Sequence, residues 1–229
     1  MDKKIVIVSL LRLASTRVPK KLLELIGDWP LCYWSLSRID KAAKKAGIEH
    51  KAIIWPGDEP LIKIVNDLGI DVIERSYESA MGETVETIYE EKWIAPLREK
   101  YNWVAIVNAC RPFLEVDSIV NFLNKVKSSD KNLLGVFKRR GWVWNEKYER
   151  VIGKGETTLN TKTNAIHFVP AHCYYAYPIE YLGKPIMIND PELIEIEENI
   201  FNSIDIDTPQ DLQLARAMYS LMKDKIGTP

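Results

Sequence analysis

IVIVSLLRLASTRVPKKLL, residues 5–23, decides how the rest of the chain is read. From Ile5 to Leu11 it is a nearly continuous apolar run. A strand with one wet face alternates apolar and polar residues. A run without alternation predicts a parallel-sheet strand with helices over both faces. The run then breaks into Arg12, Ser15, Thr16, Arg17, Pro19, Lys20 and Lys21. In open α/β sheets ligands bind beyond the carboxyl ends of the strands, which is where this loop leaves the first one. Arg12 and Arg17 can fork onto phosphate oxygens, and Lys21 adds a compact charge. Ser15 and Thr16 offer hydroxyl and backbone N–H donors, and Pro19 stiffens the turn. The glycines of a Walker loop are missing.

Working outward, short apolar runs alternate with amphipathic segments. Strands are expected at Ile5–Leu10, Ala52–Trp55, Asp71–Glu74, Trp103–Ala109, Asn132–Phe137 and Ser203–Asp207. Helices are expected at Leu31–Ala46, Glu59–Leu68, Thr84–Lys100, Val116–Lys127 and Pro209–Lys223. Leu31, Trp34, Leu36, Ile39 and Ala43 form a helical stripe, and Gly47 and Gly69 sit where helices stop. The repeated β-α-β order predicts an α/β fold with a mostly parallel sheet between helix layers. The pattern weakens between Arg139 and Asn202. There WVWNEKYERVIGKGETTLN reads as a hairpin or flap, and HFVPAHCYYAYPIEYL as one long strand or two short ones. One domain, residues 1–229, with an excursion at 139–202, is the expectation.

The 229 residues are 46% hydrophobic and 28% charged, with net charge −1 and a pI near 6.4. Bulk attraction to nucleic acid is therefore excluded, and the basic loop must act locally. Cys32, Cys110 and Cys173 are odd in number and far apart, which argues against a disulfide frame or thiolate zinc site. The apolar core of the first residues is too short for a membrane span, and no small-residue cleavage signal follows. A cytoplasmic protein, without membrane or nucleic-acid partners, is expected.

A second constellation is SIDIDTPQDLQLARAM, residues 203–218. In a strand, Asp205 and Asp207 project from one face. They repel unless a cation lies between them, and oxygen ligands of this kind suit Mg²⁺ completed by substrate phosphates. Thr208, Pro209 and Asp211 instead fit an N-cap, an N1 proline and a capping-box acid. Asp207 could also cap. Asp205 has no such structural duty and is the best single metal ligand. Cationic loop and paired acids together point to a polyphosphate.

RLASTRVPKKLLELIGDWPL resembles the N-terminal signature of the cytidylyltransferases that activate acidic sugars, such as the CMP-KDO and acylneuraminate enzymes. Arg12, Ser15, Thr16, Arg17, Pro19, Lys21, Pro30 and Leu31 fall on that pattern. DIDTPQDLQLA resembles the closing motif whose acids hold Mg²⁺. The resemblance implies a three-layer, Rossmann-like nucleotide-diphospho-sugar transferase fold. It implies CTP as donor, an acidic sugar or phosphonate-like acceptor whose hydroxyl attacks the α-phosphorus, and a homodimer with 139–202 reaching the partner.

By carry-over, Leu11, Arg12, Ser15, Thr16, Arg17, Lys21, Ala80 and Glu83 would bind nucleotide. Arg12, Lys21 and Asp207 would act in catalysis, and Asp205 and Asp207 would hold the metal. On the acceptor side stand Asn108, Arg111 and His172; Arg111 could pair with a carboxylate, phosphate or phosphonate.

His167 and His172 are expected at core or edge positions, Cys110 as a buried thiol, and Glu90 and Glu91 as exposed helix charge. Trp142, Trp144, Tyr174, Tyr175 and Tyr177 are read first as packing. Two competing readings follow from the same residues. One is a glycosyltransferase using Asp205-Ile206-Asp207 as a D-x-D metal site. The other is a nucleotide-binding homologue without turnover.

Overall fold

The computed structural model describes residues 3–153, 160, 162–184 and 190–229. Its main sheet contains β1 (Ile5–Leu10), β2 (Glu49–Ile54), β3 (Asp71–Glu74), β4 (Trp103–Val107), β5 (Leu133–Arg140), β6 (Ile166–Pro178) and β7 (Glu192–Ile196). Their spatial order is β3-β2-β1-β4-β6-β5-β7. Neighbours run parallel, except that β6 runs antiparallel to both β4 and β5. The helices are α1 (Leu31–Ala46), α2 (Glu59–Asp67), α3 (Tyr77–Met81), α4 (Val85–Ile88), α5 (Glu91–Lys100), α6 (Val116–Ser128) and α7 (Pro209–Ile226).

The unbroken apolar run of β1 is explained by its two covers. Ile5 and Ile7 pack with Ile39 and Ala42 of α1 and Ile119 and Phe122 of α6. Val6 and Val8 face the other way, against Trp93, Ile94 and Leu97 of α5. Successive side chains alternate sides, so both sides must be apolar. The basic loop has its own anchors. Leu11, Val18 and Leu22 are buried with Ile26, Leu31 and Trp34. Each such side chain contributes about 1.5–3 kcal/mol, enough to pin the loop while its cations stay outside. Gly47 and Gly69 end their helices at φ +63° and +70°, as expected of helix stops.

Several elements differ from expectation. Ser203–Asp207 is not a strand. The edge beside β5 belongs to β7, which the sequence reading did not include. The expected helix over Thr84–Lys100 is broken at Tyr89, where φ −99° and ψ 82° leave the helical region. Glu90, expected as exposed helix charge, instead accepts hydrogen bonds from Ser76 N–H and Ser76 Oγ, both at 2.6 Å. That ties the start of α5 to the start of α3. The segment from Ile166 forms one long strand whose register against β5 shifts between Pro170 and Tyr175. A short hairpin pairs Val143–Trp144 with Arg150–Ile152. The rest of its expected span, at 154–159, lies outside the described residues. Two of the seven sheet strands thus come from within 139–202.

Candidate functional site

The C-terminal ends of β1 and β4 lie side by side, and the loops leaving them form a cavity of about 260 Å³. Arg12, Ser15, Thr16, Arg17 and Lys21 line it from the basic loop, Ala109 and Cys110 from the loop after β4, and Asp207 from the approach to α7. Larger hollows of about 670 and 710 Å³ lie elsewhere. The small cavity is the one where the loop cations meet Asp207.

Asp207 joins the two sequence motifs. Its Oδ1 accepts from Arg17 Nη2 at 3.0 Å and from Lys21 Nζ at 3.1 Å, across 190 and 186 residues. Lys21 also donates to the Ile206 carbonyl at 2.6 Å. Burial works against the Lys21 ammonium, but Cys110 and Asp207 outweigh it and hold its pKa above the ordinary value. The capping box expected at α7 is present: Thr208 Oγ1 accepts from Asp211 N–H, and the Asp211 carboxylate accepts from Thr208 N–H. Although 203–207 joins no ladder, its alternation survives. Ile204 and Ile206 are buried, while Asp205 and Asp207, alternating with them, are partly open. A backbone bond from Ile206 N–H to the Cys110 carbonyl holds the stretch in place of a sheet.

Asp205 belongs to a deeper arrangement. Its Oδ2 lies 3.2 Å from Arg111 Nη2, with the side chains 21% and 5% exposed. Arg111 is turned inward. Nη1 donates to the Asn202 carbonyl at 2.7 Å and Nη2 to the Ala171 carbonyl. Burial raises the pKa of Asp205, against the pull of Arg111. Its Oδ1 is buried and has no hydrogen-bond partner among the described residues. That orphaned hard oxygen, with Asp207 two residues on, fits a divalent cation completed by ligand oxygens. Among the described residues no group of three or more His, Cys, Asp or Glu side chains could hold a metal by itself.

The remaining predicted residues are distributed around this centre. Arg12 lines the cavity but also donates through Nη1 to the Ala80 and Gly82 carbonyls, at 3.2 and 3.0 Å. Ala80 is buried and Glu83 exposed. Leu11 is buried, its N–H bonded to the Ile53 carbonyl. Asn108 ties the end of β4 to β6: its Nδ2 donates to the His172 carbonyl at 3.2 Å, and its backbone N–H to the Cys173 carbonyl at 3.0 Å. His172 is exposed in the irregular part of β6 at φ +53°, with Nδ1 2.8 Å from the Tyr175 hydroxyl. Irregularities of this kind re-aim a side chain beside a site.

Cys110 was expected as a buried thiol. It is half-buried and lines the cavity, and burial raises its pKa, so it stands as a thiol. Two residues escaped the sequence reading altogether. Asp58 accepts from Leu13 N–H, and Arg75 donates to the Leu11 carbonyl. Asp58 sits at an ordinary helix start, and nothing in its neighbours marks the longer reach.

No protein-family model matches the chain. In sequence it is similar to the 3-deoxy-manno-octulosonate cytidylyltransferases of Rickettsia rickettsii (strain Sheila Smith), 28% identical over 123 residues, 54% of this chain and 48% of that one. The corresponding enzyme of Rickettsia conorii (strain ATCC VR-613 / Malish 7) is 30% identical over 118 residues, 52% and 45% of the two chains. The match spans about half the length of these curated relatives. In fold it is similar to CMP:2-keto-3-deoxy-manno-octonic acid synthetase complexed with CTP, at TM-score 0.63 and 14% identity over 96% of this chain and 99% of the other. A 4-diphosphocytidyl-2C-methyl-D-erythritol synthase from Anaerococcus prevotii DSM 20548 gives TM-score 0.61 and 14% identity, covering 96% and 100%. No helix among the described residues is long and apolar enough to cross a membrane. The structural likeness carries the fold, and over about half of its length the chain is similar in sequence to cytidylyltransferases.

Proposed function

We propose that this protein transfers CMP from CTP to an acidic sugar or related acceptor, with release of pyrophosphate and dependence on Mg²⁺. The observation that carries the reading is the meeting of Arg17, Lys21 and Asp207 in one cavity beyond β1. A carboxylate held between two cations marks a place built to hold an anion, and phosphate oxygens can take its place. Arg12, Arg17 and Lys21 then neutralise the triphosphate and the departing pyrophosphate, and Ser15 and Thr16 add donors. Phosphoryl-type transfer needs this positioning and charge neutralisation more than a covalent side chain.

Asp205 and Asp207 would hold Mg²⁺, which when bound supplies charge neutralisation at the reacting phosphate. Arg111 serves this site from behind, holding Asp205 in position. The acceptor then lies toward Asn108 and His172, and the Ala80–Glu83 segment gripped by Arg12 lies on the nucleotide side. A homodimer through the 139–202 region fits the exposed Trp144, Tyr148 and Phe168 there, and a cytoplasmic setting fits the three free cysteines.

A binding homologue without turnover is the second reading, favoured by the existing pairing of Asp205 with Arg111. A thermal-shift panel of the four ribonucleoside triphosphates, with and without Mg²⁺, comes first. It is followed by pyrophosphate release from CTP with acidic-sugar acceptors. A CTP-selective shift with pyrophosphate release supports the transferase. A CTP shift without release under any acceptor supports the binding homologue, and a shift only with nucleotide sugars overturns both.

A further inference from the structure

Two buried charges lie beneath the basic loop, and neither lines its cavity. Asp58 and Arg75 are 4% and 2% exposed. Asp58 holds the N-cap position of α2 but makes no side-chain cap bond there. Its Oδ2 reaches instead to Leu13 N–H at 3.1 Å. Arg75 follows β3 and donates through Nη2 to the Leu11 carbonyl at 2.6 Å and through Nη1 to the Ser79 carbonyl at 3.4 Å. Leu11 and Leu13 are the two neighbours of Arg12. The backbone on each side of Arg12 is therefore held by a buried side chain, one anionic and one cationic.

Arg12 and Arg75 also grip one segment, through the carbonyls of Ala80 and Gly82 and of Ser79. Burying charge is costly unless the charge is well paired. Burial, with Arg12 nearby, lowers Arg75 to about 10, against the pull of Asp58. A helix cap needs only a hydroxyl or an amide. A simple turn of chain does not call for two charges in its interior.

We propose that Asp58 and Arg75 are positioning residues, which act through the Leu11 carbonyl and the Leu13 N–H to fix Arg12 between the phosphate cavity and the 79–82 segment. The inference rests on the triphosphate reading of the cavity. It predicts that the two buried residues affect ligand affinity only while Arg12 is present.

A double-mutant cycle tests this, with CTP plus Mg²⁺ and inorganic pyrophosphate titrated separately. Arg12→Ala and Asp58→Ala should each weaken both ligands about tenfold, the scale of one charge-assisted hydrogen bond. The double variant should bind no worse than the weaker single. The melting loss caused by Asp58→Ala should be the same in both backgrounds. That separates positioning from mere support of the fold. Arg75→Lys, which keeps the charge and loses the fork, runs through the same cycle should Asp58→Ala fail to fold. Additive affinity losses, or loss of melting temperature with affinity intact, overturn the inference and leave the triphosphate reading standing. Equal binding by wild type and Arg12→Ala overturns it as well. Wild type that binds neither probe overturns the triphosphate reading and the inference with it.

Discussion

Asp205 and Asp207 stand two residues apart, and each is paired with an arginine. Arg17 and Asp207 are 63% and 45% exposed, whereas Arg111 and Asp205 are 5% and 21% exposed. An exposed pair of this kind is worth about 0–1 kcal/mol, so its partners exchange readily. Breaking a buried one by removing a partner costs about 3–5 kcal/mol, because a charge is left without compensation. One acid of the motif is therefore free to trade Arg17 for a ligand, beside a Lys21 that is itself largely buried, while the other is set into the frame. The same dipeptide spacing yields a movable contact and a fixed one, and burial alone decides which.

Arg111→Ala should show the largest effect. It leaves Asp205 uncompensated and strips a donor from the Asn202 and Ala171 carbonyls. A loss of about 3–5 kcal/mol in denaturant unfolding is expected. Arg17→Ala, measured alongside, should cost under about 1 kcal/mol. Equal losses at the two positions would erase the distinction between the pairs.

The exposed half of this comparison was legible in the sequence, and the buried half was not. The unbroken run of β1 placed the basic loop at a strand end, and Thr208-Pro209 with Asp211 marked the cap that aims the late acids. Those signals are local. Arg111 looked like an available cation because its true acceptors, the carbonyls of Ala171 and Asn202, are 60 and 91 residues away. The apolar alternation of Ser203–Asp207 was read correctly as alternation and wrongly as a strand. The stretch meets the sheet only beyond the end of β4, where Ile206 N–H bonds the Cys110 carbonyl, and β1 and β6 already flank that strand. Asp58 and Arg75 left no trace for a related reason: each works on the backbone of a distant loop.

Burial can also be weighed away from the cavity. His50 is fully buried in β2, with Nε2 3.0 Å from Ser9 Oγ. Burial, with Lys44 and Lys51 nearby, lowers its pKa to about 3. Asp40 lies 3.9 Å from Nδ1, beyond hydrogen-bonding distance, and does not offset this. The unfolded chain takes up the proton near the ordinary value of about 6.5. Between that value and about 3 the unfolded state binds more protons, so stability falls as pH falls. The slope should approach about 1.4 kcal/mol per pH unit, for a loss of roughly 1.6 kcal/mol between pH 6.5 and 5. Unfolding of wild type and His50→Gln across that range checks it, and the variant should lose most of the slope. A parallel slope in both would mean that burial at this site carries no protonation penalty, which weakens the case for Asp205 as well.

The smallest effect on stability, and the most informative sign, belongs to Asp207→Asn. The amide keeps an oxygen for Arg17 and Lys21 and removes the charge that competes with an incoming phosphate. Stability should change by less than about 1 kcal/mol. Pyrophosphate titrated without metal should bind a few-fold more tightly, since the two cations no longer have to leave a carboxylate. CTP with Mg²⁺ should bind about tenfold or more weakly, because a metal-holding oxygen has lost its charge. A residue that only supported the loop would weaken both ligands together. Opposite shifts follow only if Asp207 holds the place of the ligand until the ligand arrives.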